Sequence, residues 1–204
     1  MIRVNYIDLG VHEGEEIDLV LDHYKDYKDK FDLSIYGVEA NPKLYEDLEQ
    51  KYKHFDEVKI FNNVISSASG CYIDLYLGKA TISSSIFATK SRVTDKTVRV
   101  LSHKFSDFVN DNVEEFNTSI NVLKLNIEGA ELDVYEDLIE TDLFKDIDLF
   151  CGHPSHDIEK VAELEPKRER YYSLLEEYDI KLSFLCAEGK NKKDESINIF
   201  EAVS

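Results

Sequence analysis

The chain has 204 residues, a length typical of one domain, and 43% of them are hydrophobic, which is enough for a packed core. Twenty-four Lys and Arg residues stand against 42 Asp and Glu residues, so the formal net charge is −18. This charge argues against a nucleic-acid partner, because binding to nucleic acids depends largely on cations that neutralise phosphates. We therefore expect residues 1–204 to form one acidic domain.

Cysteine usage and hydropathy point to a cytoplasmic protein. The three cysteines are far apart and form no CxxC motif, which is typical of reduced thiols. No apolar run reaches the ~20 residues of a transmembrane helix, and the N-terminus lacks the pattern of a signal peptide. We expect no membrane partner, and a homodimer is compatible with the sequence.

Short apolar runs alternate with helical stripes along most of the chain. This order of elements predicts a parallel sheet with helices on both faces. The main predicted strands span residues 2–9, 33–38, 58–65, 120–127 and 147–151. Helical stripes follow at 17–31, 44–52, 105–109, 132–139 and 171–178.

The end of the chain departs from this alternation. Residues 181–187 and 197–203 are two further strand-like runs, joined by a polar loop that is too short to carry a crossover helix. They predict a C-terminal antiparallel hairpin. The predicted fold is therefore α/β, with a doubly wound, Rossmann-like sheet that is mostly parallel and ends in that hairpin.

The loop after the first strand has the pattern D-x-G-x-x-x-G, from Asp8 through Gly10 to Gly14. The glycines would allow a sharp turn and close approach to a ligand, although an ordinary tight turn would use them in the same way. The spacing matches neither the dinucleotide fingerprint nor the phosphate loop. The loop is also acidic, which disfavours a pyrophosphate and favours a ligand with an ammonium and a sulfonium, such as S-adenosylmethionine.

Glu39 follows the second predicted strand, at the same edge of the sheet as the first loop. An acidic side chain at this place can accept hydrogen bonds from both ribose hydroxyls. The alternative is a solvated glutamate before a helix N-terminus, where negative charge is mildly favourable. Together with the first loop, Glu39 favours a nucleoside site.

Four ordered segments carry a family resemblance: YIDLG at residues 6–10, VEANP at 38–42, NNVIS at 62–66 and KLNIEGAE at 124–131. Together they resemble the FkbM-type methyltransferases over roughly residues 4–153. The fourth segment is the most specific, since the family's signature there is close to K-x-D-[IV]-E-G-x-E. The resemblance implies a class I methyltransferase fold, S-adenosylmethionine as the donor, S-adenosylhomocysteine as the product, and a hydroxylated acceptor such as a sugar.

The resemblance also implies roles for individual positions. The first loop would hold the methionine part, Glu39 the ribose and residues 63–64 the adenine, while Asn126 would face the methyl group. The implied cofactor-binding residues are Asp8, Gly10, Gly14, Glu39, Ala40, Asn63, Val64 and Asn126.

Two departures from the family pattern open alternatives. Asn126 stands where the family usually has Asp, which removes a negative charge and a metal ligand. The chain also begins at the first strand, so we expect a minimal core without N-terminal cover, in which a partner subunit or residues 79–96 cover the acceptor. These departures motivate a catalytically silent nucleoside-binding module as the alternative function.

Transfer to a neutral hydroxyl benefits from a general base. The predicted catalytic residues are His153, just after the fifth strand, and Asn126, with His12 as a second candidate base. A helix-capping or solvent-facing role for His153 remains open. A divalent metal held by residues 153–157 together with Asn126 is not favoured, since Pro154 predicts a turn there.

Three residues are candidate contacts for the acceptor: His12, Lys124 and Glu128. Lys124 would either steer the acceptor or pair with a buried carboxylate. Glu128 would either touch the acceptor or be held by helix N-terminal amides, and Glu131 is assigned mainly to structure. The sequence thus predicts an O-methyltransferase for a saccharide or similar small molecule, with a nucleic-acid methyltransferase as a disfavoured third reading.

Overall fold

The computed structural model describes residues 1–79, 84–152, 157–185 and 196–204. Its strands are β1 Ile2–Leu9, β2 Phe31–Val38, β3 Val58–Phe61, β4 Val64–Ile65, β5 Cys71–Gly78, β6 Val93–His103, β7 Ile120–Leu125, β8 Leu149–Gly152 and β9 Leu182–Ser183. Six of them form a parallel sheet in the order β3-β2-β1-β7-β8-β9. Because the chain leaves β1 on one side and returns through β7 on the other, the crevice between their carboxyl ends is the usual ligand position of such sheets.

The helices cover both faces of this sheet. They are α1 Glu15–Tyr24, α2 Pro42–Tyr52, α3 Phe105–Asn112, α4 Glu131–Glu140, α5 Asp157–Lys160, α6 Arg168–Glu177 and α7 Ile199–Ala202. None of the helices in the described parts of the chain combines the length and the apolar character needed to cross a membrane.

Alternation along β1 shows how the core is divided. Val4 and Tyr6 pack in a cluster with residues of α1, α2 and α7, whereas Ile7 and Leu9 pack in a second cluster with residues of α3, α4 and α6. Successive side chains of a strand point to opposite faces, so β1 is buried on both sides. The sheet is therefore doubly wound and Rossmann-like, as the sequence predicted.

The predicted strand at 58–65 is divided between two sheets. β3 belongs to the large sheet, while β4 pairs with β6 in a three-stranded sheet whose β5 and β6 are antiparallel. The division falls at two polar residues. Asn62 donates to the carbonyls of Glu39 and Ala40 at 2.9 and 3.1 Å, and Asn63 donates to the Leu101 carbonyl at 3.3 Å.

The predicted C-terminal hairpin is wrong in the described residues. β9 pairs in parallel with β8, and the second predicted strand contains the helix α7. Asn198 caps that helix by accepting from the Phe200 amide at 3.0 Å, and the fully buried Phe200 ring stacks with Tyr24 at 5.6 Å. A short apolar run does not distinguish a strand from a buried helical turn, and packing on α1 decides here.

Gly10 marks the point where β1 meets the strand-end loop of β7. Its φ is +90°, and a Cβ added there would lie 2.1 Å from the Asn126 carbonyl oxygen. Gly70 has a similar φ of +72° but nothing within 4 Å of its Cβ position.

We expect Gly10→Ala to lower the free energy of unfolding by more than about 3 kcal/mol, because backbone strain and a backbone clash add together. The matched control Gly70→Ala carries only the positive-φ penalty of about 1–2 kcal/mol. Urea unfolding of both variants measures the difference. Equal losses would show that the close approach at Gly10 is unimportant.

Candidate functional site

A cavity of about 350 Å³ opens at the carboxyl edge of the large sheet. It receives residues from the loops after β1, β2, β3 and β7, from the end of β8 and from the segment between β5 and β6. The described residues that line it are Gly10, His12, Glu15, Glu16, Val38, Glu39, Ala40, Leu44, Asn63, Val64, Ile65, Leu75, Ser84, Ser85, Ile86, Lys124, Asn126, Ile127, Glu128, Ala130, Gly152 and Leu185.

The carboxylate of Glu39 is held in the cavity wall by two backbone amides. Its Oε2 accepts from the His12 amide at 2.9 Å, and its Oε1 accepts from the Asn41 amide at 2.7 Å. Burial raises the pKa of Glu39, and the two backbone amides oppose that shift. Each oxygen keeps a lone pair, so the fixed carboxylate can still accept hydrogen bonds from a ligand.

His12 links the first loop to Glu39. Its φ is +56°, and its side chain, 24% exposed, places Nδ1 3.6 Å from Glu15 Oε2. Gly14 was predicted to contact the ligand, but it is not among the described residues that line the cavity. A Cβ on Gly14 would lie 2.3 Å from the Tyr52 hydroxyl, which donates to the Gly14 carbonyl at 2.7 Å, so this glycine lets α2 pack against the start of α1.

Asp8 lies beneath the cavity instead of in its wall. It is fully buried, and its Oδ1 lies 2.8 Å from the ammonium of Lys124, which stands opposite it in the β1–β7 register. The same ammonium donates to the Gly10 carbonyl at 2.8 Å. Asp8 is therefore not among the described residues that line the cavity, and Lys124 makes the ion pair with a buried carboxylate that was one of its two predicted roles.

Burial by itself would lower the pKa of Lys124, but the carboxylates of Asp8 and Glu16 outweigh it and the pKa is raised. Burial also raises the pKa of Glu16, which lines the cavity, and Lys124 opposes that shift. The positive charge of Lys124 is thus balanced by the carboxylates of Asp8 and of the nearby Glu16.

One side of the cavity is apolar. Val64, Ile65 and Leu75 are buried and come from the small sheet, so the split of the predicted third strand brings β4 into the wall. Ala40 and Asn63, two of the predicted cofactor-binding residues, also line the cavity. Asn62 is the first residue of the NNVIS segment and had no predicted role. Its side-chain amide fixes the loop that carries Glu39.

The loop after β7 forms the opposite side. The exposed Asn126 lines the cavity, and Glu128, with a φ of +60°, lies two residues further on. Glu131 holds the loop, since its two carboxylate oxygens accept from the amides of Ile127 at 3.1 Å and Gly129 at 2.9 Å. This contact confirms the structural assignment of Glu131.

The segment between β5 and β6, which belongs to residues 79–96, forms part of the cavity wall. Ser84, Ser85 and Ile86 line the cavity, and Ser85 Oγ donates to the Glu128 carbonyl at 3.1 Å. Further along, the buried Lys90 pairs with Glu128 and lies 3.1 Å from Asp157. Sequence reasoning missed Lys90, since a lysine in a polar segment carries no local sign of burial.

The predicted base His153 and its neighbour His156 lie outside the described residues. Within the described ranges, no group of three or more His, Cys, Asp or Glu side chains is arranged to hold a metal ion.

We expect Lys124→Met to lower the free energy of unfolding by about 3–5 kcal/mol, because it leaves the Asp8 carboxylate buried without a partner. Adding Asp8→Asn should recover a large part of that loss, which a double-mutant cycle followed by urea unfolding measures. Lys25→Met is the control, since it breaks an equally short but exposed pair with Asp22 at 2.8 Å. A double variant no more stable than Lys124→Met would contradict the pairing.

The sequence was compared with protein-family models, with curated proteins and with solved structures. Residues 8–149 match the family model described as the Methyltransferase FkbM domain, which is more than half of the chain. Searches of curated proteins and of solved structures found no match. The matched region contains the cavity-lining residues of the loops after β1, β2, β3 and β7. The chain therefore belongs to the FkbM methyltransferase domain family.

Proposed function

We propose that this methyltransferase uses S-adenosylmethionine as its donor and transfers the methyl group to a hydroxyl oxygen of a saccharide or a similar polyhydroxylated small molecule. The assignment of the methyl donor rests on the carboxylate of Glu39. This carboxylate is buried at the carboxyl edge of the sheet and is fixed by the amides of His12 and Asn41. Such an orientation suits the two hydroxyls of a ribose.

The shape of the cavity supports a nucleoside. Its volume of about 350 Å³ falls within the usual ~300–1,000 Å³ of small-molecule sites. Beside Glu39, the apolar side chains of Val64, Ile65 and Leu75 offer a surface for a flat base. Glu39 would hold the ribose, and these three residues, with Asn63, would enclose the adenine.

The charge of the cavity supports a cationic donor. The carboxylates of Glu15, Glu16, Glu39 and Glu128 line it, whereas the ammonium of Lys124 is occupied by Asp8. A pyrophosphate would meet repulsion here, while an ammonium or a sulfonium would be attracted. When bound, S-adenosylmethionine supplies a methyl carbon activated by its positive sulfur.

The acceptor side supports a hydroxylated molecule. Asn126 and Glu128 together offer an amide and a carboxylate, which can hydrogen-bond adjacent hydroxyl groups and orient one of them. The described wall there is acidic, which favours a neutral polyol over an anionic sugar. His153 remains our candidate for removing the hydroxyl proton.

One observation favours a second function. Asn126 stands in the wall of the cavity where related proteins usually carry Asp, so the charge beside the methyl group is reduced. A catalytically silent nucleoside-binding module would keep donor affinity and lack transfer.

We expect Glu39→Gln to weaken S-adenosylhomocysteine binding at least about tenfold, since the new amide replaces an acceptor that serves both the backbone and the ligand. Isothermal titration calorimetry measures the affinity. Glu46→Gln on the exposed face of α2 is the control, because it removes the same charge without touching the cavity.

The same preparations then receive methyl-labelled S-adenosylmethionine and the methyl glycosides of glucose, galactose, mannose and rhamnose. Label on a sugar oxygen supports O-methyl transfer. Donor binding without label on any glycoside favours the silent module. If the wild-type protein does not bind S-adenosylhomocysteine at millimolar concentration, the donor assignment is wrong.

A further inference from the structure

A cluster of three charged side chains, centred on the buried Lys90, lies at the acceptor side of the cavity. Lys90 is 6% exposed in its side chain, and its ammonium pairs with Glu128 Oε2 and lies 3.1 Å from Asp157 Oδ2. The three residues come from three different segments: the β5–β6 connection, the loop after β7 and the start of α5. Lys90 is therefore the cation at which these segments meet.

The β5–β6 connection is docked on the Glu128 loop by further contacts. Ser85 Oγ donates to the Glu128 carbonyl at 3.1 Å, and the Phe87 ring lies 2.9 Å from the position of a Cβ on Gly129. Glu128 itself has a φ of +60°, an unfavourable conformation for a side chain other than glycine, which persists only where the surroundings enforce it. Ser85 and Lys90 supply that enforcement at the backbone and at the carboxylate.

Glu128 is also open to the cavity. About 29% of its side-chain surface is exposed, and the pair with Lys90 uses only Oε2. Burial lowers the pKa of Lys90, and Asp157 opposes that shift. Since a buried charge is costly without partners, Lys90 needs both carboxylates, and the cost of losing them keeps Glu128 in place.

We propose that Lys90 is a positioning residue, which holds the Glu128 carboxylate in the cavity wall so that Glu128 accepts a hydrogen bond from the hydroxyl group of the acceptor. This inference rests on the proposed function. Lys90 affects the acceptor only through Glu128, so its removal should not lower methyl transfer further once the Glu128 carboxylate is gone.

The experiment compares Lys90→Met, Glu128→Gln, the double variant and the exposed control Lys96→Met. Methyl transfer to the four methyl glycosides gives kcat/KM for the acceptor, and calorimetry gives S-adenosylhomocysteine affinity. Each single variant should lower kcat/KM about 100-fold, the loss typical of a displaced reacting group, with donor affinity unchanged. The kcat/KM of the double variant should be no lower than that of the less active single variant. Lys96→Met should have the kcat/KM of the wild type.

Additive losses in the double variant, or wild-type transfer by Lys90→Met, would overturn the proposal. If Lys90→Met does not fold, Glu128→Gln decides alone, because full activity without the carboxylate charge shows that the ion pair with Lys90 is not needed to position the acceptor. A wild-type protein that does not bind S-adenosylhomocysteine refutes the donor assignment. One that binds it but methylates none of the glycosides refutes the acceptor class, and this inference with it.

Discussion

The buried ion pair between Asp8 and Lys124 is the constraint on which the site depends. The two residues face each other across the central strands β1 and β7, and the Lys124 ammonium also donates to the Gly10 carbonyl at 2.8 Å. The pair thus joins the strand ends to the first loop. Because that loop presents the His12 amide to Glu39, the position of the proposed ribose-binding carboxylate follows from a contact beneath the cavity.

The same pair decides the charge that a ligand meets. Without Asp8, Lys124 would be a free cation at the cavity floor and could attract a phosphate. With Asp8, the unpaired charges of the described wall are carboxylates, which would favour a cationic ligand. Under the proposed function, Asp8 would thus favour a sulfonium over a pyrophosphate from beneath the cavity wall.

Local sequence signals predicted the parallel sheet and part of the cavity wall, because strands, turns and the loops at strand ends are encoded within a few neighbouring residues. Glu39 was predicted from its place at a strand end, whereas Asn63 and Asn126 were implied by the family resemblance, and all three line the cavity. Local signals did not show that Asp8 lies beneath the cavity wall, because its partner Lys124 lies far along the chain and reaches it through the pairing of β1 with β7.

Other features depend on tertiary contacts that no single segment encodes. The helical turn α7 exists in place of a strand because Phe200 packs into the aromatic cluster around Tyr24 and Phe31. Lys90 is buried because three separate segments converge on it, and an isolated lysine gives no sign of that. His153 lies outside the described residues and stays a prediction.

The central claim is that an acidic cavity selects a cationic adenosyl ligand. Calorimetric titrations of S-adenosylmethionine and of NAD⁺ into the same protein test it most directly, since both carry adenosine and only the latter a pyrophosphate. We expect S-adenosylmethionine to bind in the micromolar range and NAD⁺ to give no binding heat at millimolar concentration. Binding of NAD⁺ as tight as that of S-adenosylmethionine would contradict the account.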